Sequence, residues 1–326
     1  MSKNTPRIGF VFSTKERVDL SRRSLRSIDN DGGFDLIWLD GSTSSEARRL
    51  PETIKLQKTR LVEVHLDVRG GPDAAIRHGL RRLLALGYDY CGLIENDIEF
   101  VPGWFPRLME LFKLGEINDL QVGAATTRTF SSRTLASQSQ YATLWNIGAG
   151  MVLFTRTATG IVLRHYHPRR AKELSAYFKK KYGNDLRDIW ELWMDNDDRL
   201  LGCDWGYSLE LDRRGLSSLG TVPAYSYNLD LDPETVMRSD YLGGIAKSSF
   251  DIDLRHDQSD DAAQLTTPPM QLSVQCQPEK LENNGVDRDR QKRSPTGISF
   301  AEWLYWKLGL PLPTPLVRSM QRWLAK

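Results

Sequence analysis

Two acidic residues separated by one asparagine, Glu95-Asn96-Asp97, directly follow an apolar segment at residues 90–94. Carboxylates at the end of a buried strand are costly unless they face solvent, a cation or hydrogen-bond donors. Mg²⁺ and Mn²⁺ prefer such oxygen ligands, and they commonly bridge the phosphates of a bound ligand. The triplet therefore predicts a metal site at Asp97 and Glu95. The alternative is a solvated turn in which Asp97 or Glu99 caps the following helix.

Polar residues also follow two earlier apolar segments. Ser13 and Thr14 come after residues 8–12, and Asp40 comes after residues 34–39. Asp40 can accept hydrogen bonds from a base or a ribose, although an aspartate before glycine is, taken alone, more typical of a tight turn. We interpret these three residues as candidate ligand contacts.

Further candidates lie in other loops and helices. Arg77 can reach a phosphate or a base carbonyl, or it is simply solvated on its helix. Gly148 and Gly150 either permit close approach of a ligand or pack tightly in a strand. Asp204 opens a helix, where an aspartate is more often an N-cap than the general base that deprotonates an acceptor hydroxyl.

The elements that must position these residues alternate between strands and helices. The order strand–helix–strand–strand–helix–strand predicts an α/β protein with a mostly parallel, doubly wound sheet covered by helices. In such sheets ligands bind beyond the carboxyl ends of the strands. Ser13-Thr14, Asp40 and Glu95-Asn96-Asp97 are all expected at those ends. The expected strands are residues 8–12, 34–39, 61–66 and 90–94, and the expected helices are residues 15–28 and 73–86.

The later part of the chain is less regular. Residues 146–154 are a glycine-rich strand candidate, residues 168–201 a charged helical region, and the helix opened by Cys203-Asp204 is expected to close at Arg214-Gly215. We predict a catalytic domain over residues 1–255, a polar linker over 256–297 and a basic, aromatic helical segment over 298–326.

The overall composition is that of a soluble globular protein. The net charge of +2 gives no reason to expect a nucleic-acid partner. Three dispersed cysteines argue against disulfides and thiolate zinc sites, and no segment reaches the roughly 20 apolar residues of a membrane span. These features predict a cytoplasmic protein. Residues 298–326 carry three tryptophans among basic residues, which fits either contact with the inner face of an anionic membrane or two short helices docked on the core.

Taken in order, several motifs resemble those of GT-A-fold glycosyltransferases of the family 2 type. The resemblance covers roughly residues 6–230, and the ordered set is more specific than any one member. The motifs are Ser13-Thr14 after a strand, Leu39-Asp40-Gly41-Ser42-Thr43, Ala75-Ile76-Arg77-His78-Gly79, Leu93-Ile94-Glu95-Asn96-Asp97, Gly148-Ala149-Gly150-Met151, and Cys203-Asp204-Trp205 with Arg214-Gly215.

The resemblance implies inverting transfer of a sugar from a nucleoside diphosphate, a UDP-sugar being favoured, to a glycan, lipid-linked or protein hydroxyl. It implies Mn²⁺ or Mg²⁺ as cofactor, with Asp97 as the direct ligand and Glu95 in place of the first acid of the family's D-x-D motif. Asp40 would contact the base, Arg77 would help to hold the nucleotide, and Asp204 would activate the acceptor. The residues assigned to nucleotide-sugar binding are Ser13, Thr14, Arg17, Asp40, Arg77, Glu95, Asn96, Gly148 and Gly150.

The sequence departs from the family pattern at positions that the family uses for metal binding and catalysis. Glu95 replaces an aspartate, Cys203 stands where an acid commonly precedes the base, and no clear third metal ligand can be assigned over residues 224–256. These departures keep open a catalytically inactive GT-A scaffold that binds nucleotide or glycan. A sugar nucleotidyltransferase is the other alternative, but such enzymes usually carry a glycine-rich loop where this chain has residues 13–17.

Overall fold

The computed structural model describes residues 5–69, 71–130, 133–148, 150–165, 171–182, 203–230 and 241–246. These parts of the chain form an α/β fold with eleven strands and seven helices. The strands are β1 (Ile8–Thr14), β2 (Asp35–Asp40), β3 (Arg60–His65), β4 (Tyr90–Glu95), β5 (Ile98–Phe100), β6 (Val122–Thr126), β7 (Thr134–Ser137), β8 (Tyr141–Leu144), β9 (Met151–Thr155), β10 (Ser217–Thr221) and β11 (Ser226–Asn228). The helices are α1 (Val18–Ile28), α2 (Ser45–Thr53), α3 (Gly71–Ala85), α4 (Trp104–Ile117), α5 (Arg156–His165), α6 (Ala171–Tyr182) and α7 (Cys203–Asp212).

Nine of the strands form one mixed sheet in the order β3-β2-β1-β4-β9-β6-β10-β8-β7. The pairs β3–β2, β2–β1, β1–β4 and β6–β10 are parallel. The strands β9 and β8 are antiparallel to their neighbours, so the other seven all run in one direction. The predicted α/β class with a mostly parallel sheet is therefore confirmed.

Hydrophobic clusters cover both faces of this sheet. Phe10 packs in a cluster with Trp104 of α4, whereas the next residue, Val11, packs in the other cluster with Leu80 of α3 and Leu209 of α7. Successive side chains of a strand point to opposite faces, so a strand that is apolar at every position must be covered on both sides. The strands β1, β2 and β4 are buried in this way.

A small antiparallel sheet joins two distant parts of the chain. Its strands are β5 and β11, which pair Ile98 with Asn228 and Phe100 with Ser226. The backbone N–H of Leu229 also donates to the carbonyl of Asp97 at 2.7 Å. The sheet therefore holds the residues that follow β11 against the turn between β4 and β5.

The structure corrects two expectations about local structure. The helix α4 begins at Trp104 after Gly103, with β5 before it, so neither Asp97 nor Glu99 caps it. The expected strand over 146–154 begins only at Met151, and Gly148 before it has a left-handed φ of +75°. A left-handed residue interrupts the extended backbone that a strand needs.

Several expectations fall outside the described residues. The proposed linker at 256–297, the basic aromatic segment at 298–326 and the part of the 168–201 region beyond Tyr182 all lie there. Among the helices that are described, none has both the length and the apolar character required to cross a membrane.

Candidate functional site

The strand register brings the predicted polar residues to one edge of the sheet. Thr14, the last residue of β1, lies opposite Asp40, and Ser13 lies opposite Glu95, the last residue of β4. We call this edge, where β1, β2 and β4 end, the carboxyl edge. The loops that follow these strands therefore share one region, as the alternating pattern predicts.

Asp40 is fully buried and ties β1 to β2. Its Oδ1 accepts hydrogen bonds from Thr14 Oγ1 at 2.9 Å and from the Ser42 backbone N–H and hydroxyl at 3.1 and 2.5 Å. Trp38 Nε1 in turn donates to Thr14 Oγ1 at 2.9 Å. Asp40 Oδ2 has no hydrogen-bond partner in the described part of the chain. Asp40 thus holds the end of β1 and the loop after β2 together at the base of the candidate site.

The loop after β1 is anchored by Glu16. Its carboxylate accepts hydrogen bonds from the backbone and hydroxyl groups of Thr43 and Ser44, which hold its pKa down at about 2. Glu16 and Arg17 both adopt left-handed backbone angles, at φ 57° and 56°. Non-glycine residues in this region are uncommon, and such strain persists only where surrounding contacts enforce it. The anchored loop presents the Arg17 side chain at the carboxyl edge.

Asn96 holds the β4–β5 turn against α1. Its Nδ2 donates to Ser21 Oγ at 2.9 Å, and Ser21 Oγ donates to the carbonyl of Arg17 at 3.0 Å. The Asn96 side chain is buried. The described contacts of Asn96 are therefore within the protein, and they position its neighbour Asp97 relative to Arg17.

Asp97 lies beside a second carboxylate, that of Asp230. The Arg17 guanidinium contacts both, with 3.4 Å to Asp97 Oδ2 and a closer contact to Asp230 Oδ2. The Asp97 side chain is only 15% exposed, and its Oδ1 is buried without a hydrogen-bond partner among the described residues. Buried polar atoms are usually satisfied, so this unsatisfied carboxylate oxygen is a candidate contact for a ligand.

The pKa of Asp97 is raised above its ordinary value of 3.8. Burial is the largest cause and the negative charge of Asp230 the next, while the positive charges of Arg128 and Arg17 oppose the shift. Carboxylates with a pKa shifted by burial and a neighbouring charge are found preferentially at functional sites. Asp97 is therefore a carboxylate whose negative charge the protein compensates only in part.

Gly148 and Gly150 face two arginines rather than open space. A Cβ atom at Gly150 would lie 2.0 Å from Arg128 Nη1, and one at Gly148 would lie 2.4 Å from Arg133 Nη1. Glu95 is half-buried, and its N–H donates to the Gly150 carbonyl at 2.9 Å. The absence of a side chain at the two glycines thus leaves space for the guanidinium groups of Arg128 and Arg133, beside the turn between β4 and β5.

Arg77 is buried and is not the solvated helix residue that was the alternative. It is 2% exposed, and its Nη2 donates to the carbonyl of Leu163 at 2.8 Å while Nη1 approaches that of Val162 at 3.4 Å. Both carbonyls belong to the last turn of α5, where helical carbonyls lack partners within the helix. Arg77 therefore joins α3 to α5, and the expected nucleotide contact stays a prediction.

Asp204 is the second residue of α7, and its side chain lies outside the described part of the chain. One turn later, Ser208 Oγ accepts a hydrogen bond from the N–H of Ile147 at 3.0 Å. Ile147 belongs to the segment that leads to Gly150 at the carboxyl edge. This bond ties the middle of α7 to the segment that precedes β9.

Sequence reasoning missed Asp230, Arg128 and Arg133. Each follows or precedes a short strand with little apolar character, and the same rule that selected Asp97, a charged residue just past a strand, applies to Asp230 and Arg128. In the described ranges no three His, Cys, Asp or Glu side chains form a cluster able to hold a metal ion. No protein-family model and no curated protein matched the chain.

Proposed function

We propose that this chain is a glycosyltransferase with a GT-A-type core that transfers a sugar from a nucleoside diphosphate to a hydroxyl group. The observation that carries the proposal is the convergence of Asp97 and Asp230 at the carboxyl edge, with one carboxylate oxygen buried and unsatisfied. A UDP-sugar is the favoured donor, and the acceptor is a glycan, a lipid-linked sugar or a protein. We assign the reaction, as part of this proposal, to the synthesis of surface glycans or glycoconjugates.

The residues at this edge fit Mn²⁺ or Mg²⁺. Asp97 Oδ1 lacks a partner among the described residues, and Asp230 supplies a second carboxylate. These ions commonly take one or two protein carboxylates together with water and substrate phosphates, so two acids are enough. When bound, such an ion neutralises the charge that develops on the leaving diphosphate. Glu95 and Asp97 were the expected ligands, and Asp230 joins Asp97 in this proposal.

In this proposal some side chains orient the donor and Asp204 accepts the proton of the acceptor. Arg17 holds the two carboxylates together before the donor arrives, and it is placed to contact the phosphates once they enter. Asp204 takes the acceptor proton as a general base in a single inverting displacement. Ser13, Thr14 and the loop that Glu16 anchors form the wall on which the nucleoside rests.

A second function, nucleotide or glycan binding without turnover, is favoured by one observation. Arg17 already places a positive charge between Asp97 and Asp230, where a metal would act. A protein that retains this ion pair on binding would hold a nucleotide without activating it. We favour the enzyme because Arg17 contacts Oδ2 of Asp97 and leaves Oδ1 without a partner among the described residues.

We further propose that the enzyme lies in the cytoplasm, peripheral to the inner face of the membrane through residues 298–326.

A thermal-shift screen tests the proposal. UDP-, GDP-, TDP- and CMP-sugars are added to the full chain with Mn²⁺ and with EDTA, and the series is repeated with Asp97→Asn. We expect a UDP-sugar to raise the Tm with Mn²⁺, and the rise to disappear in EDTA and in the variant. An equal rise in the variant would contradict the metal–diphosphate assignment.

A further inference from the structure

The loop after β6 carries two arginines that share one aromatic ring. The guanidinium carbons of Arg128 and Arg133 lie 5.4 and 4.9 Å from the ring centroid of Phe130. Tyr241 stacks on Phe130 at a centroid distance of 4.7 Å. Because guanidinium groups interact favourably with aromatic faces, this arrangement holds two positive charges in one place.

The loop lies at the carboxyl edge, next to the turn formed by Glu95, Asn96 and Asp97. Its strand β6 runs in the same direction as β4, and Arg128 follows the end of β6 by two residues. The Arg128 guanidinium lies against Gly150, whose carbonyl accepts the N–H of Glu95. The charge of Arg128 is also near enough to Asp97 to oppose the rise in the pKa of that carboxyl.

Arg128 Nε is buried and has no hydrogen-bond partner within the described ranges. An arginine presents five donors in a planar fork that matches the oxygens of a phosphate. A buried donor without a partner is costly, so Arg128 Nε is a candidate contact for a ligand at this site.

We infer that Arg128 and Arg133 form the anion-binding side of the site and hold the diphosphate of the donor, opposite the metal-binding carboxylates. This inference rests on the proposed function, and it adds the residues that receive the leaving group. The diphosphate then lies between the acidic pair, Asp97 and Asp230, and the two arginines on the β6 loop. Charge-assisted bonds from guanidinium to phosphate strengthen as negative charge develops on the leaving diphosphate.

Titration of inorganic pyrophosphate into the full chain in EDTA tests the inference. The proteins are wild type, Arg128→Gln, Arg133→Gln and the control Arg26→Gln, which removes the same charge from the exposed last turn of α1. We expect each loop variant to bind about tenfold more weakly, equivalent to the loss of about 1.4 kcal/mol. The control should match wild type. Loop variants that bind like the control, or wild type that does not bind pyrophosphate, would overturn the inference.

A variant without a charge change guards against misfolding of the loop. Gly150→Ala adds a Cβ atom 2.0 Å from Arg128 Nη1, so the guanidinium must move. We expect weaker pyrophosphate binding here too, and unchanged affinity would count against the position assigned to Arg128. Pyrophosphate binding that depends on the arginines, without turnover of any nucleotide sugar, would refute the proposed function alone. Turnover with pyrophosphate binding indifferent to the arginines would refute only the inference.

Discussion

Asp97 and Asp230 share one counter-ion, the guanidinium of Arg17, although they belong to distant parts of the sequence. The pairing of β5 with β11 and the bond from Leu229 N–H to the Asp97 carbonyl enforce this proximity. Two carboxylates held side by side repel each other, and a cation or a shared proton relieves the repulsion. A divalent ion bound with a diphosphate is the cation that the proposed reaction requires.

Asp230→Asn tests whether this second carboxylate binds the metal. Since the charge of the ligands sets divalent affinity, we expect the Mn²⁺ concentration for half-maximal response to rise about tenfold or more. Asp119→Asn is the matched control, because Asp119 is exposed after α4 and its left-handed backbone tolerates asparagine. Mn²⁺ titration monitored by Tm measures both. An Asp230 variant that responds like the control would remove Asp230 from the metal site.

Arg17→Gln tests competition between the arginine and the metal. Without the guanidinium, the two carboxylates lack their counter-ion, so we expect Mn²⁺ to bind about three- to tenfold more tightly in the absence of nucleotide. Donor binding should weaken in the same variant because a phosphate contact is lost. Calorimetric titration of Mn²⁺, with Arg26→Gln as the control, separates the effects. Weaker Mn²⁺ binding would show that Arg17 supports the metal instead of competing with it.

The raised pKa of Asp97 predicts a pH-dependent stability. A carboxyl whose folded pKa lies above its unfolded value contributes stability below the unfolded value, and this is lost as the pH rises through the folded value. In metal-free buffer at pH 7, Asp97→Asn should therefore raise the Tm by about 2–4 °C, corresponding to about 1 kcal/mol. The advantage should shrink as the pH falls towards 3.8. A variant that is less stable than wild type at pH 7 would contradict the assignment of burial as the dominant cause.

Asp40→Ala tests the structural role of the buried carboxylate at the end of β2. Removal of Asp40 leaves Thr14 and Ser42 without their acceptor, so we expect a loss of about 2–4 kcal/mol in the free energy of unfolding. Asp19→Ala, an exposed change in the first turn of α1, should cost less than about 1 kcal/mol. Urea denaturation measures both. Equal stabilities of the two variants would leave ligand binding as the only role for Asp40.

The central strands could be predicted from the sequence because each is a short apolar segment closed by polar turn residues. The segments that became β1, β2 and β4 are buried on both faces, and this leaves a continuous apolar signal. In contrast, β6 contains mostly small residues and β7 is largely exposed, so neither carries such a signal. The helix α2 was also missed, since its sequence is highly charged and contains Pro51.

The positions of candidate site residues could be predicted only where those residues directly follow a strand that is itself recognisable in the sequence. Residues at the ends of β1, β2 and β4 must share an edge once those strands are parallel, which is why Asp40 and Asp97 could be expected there. Asp230 reaches the site through the three-residue pairing of β11 with β5, which has no local signature. Arg77 shows the converse, because its sequence context says nothing about the α5 carbonyls that it binds.

Release of nucleoside diphosphate from a panel of nucleotide sugars, with Mn²⁺ and with EDTA, tests the central claim most directly. The comparison is between wild type, Asp97→Asn and the control Asp119→Asn. We predict metal-dependent release from a UDP-sugar by wild type and the control, and at least about a 100-fold loss in Asp97→Asn, as for removal of an electrostatic group at a transition state. Metal-independent release, or equal rates in all three proteins, would contradict the account.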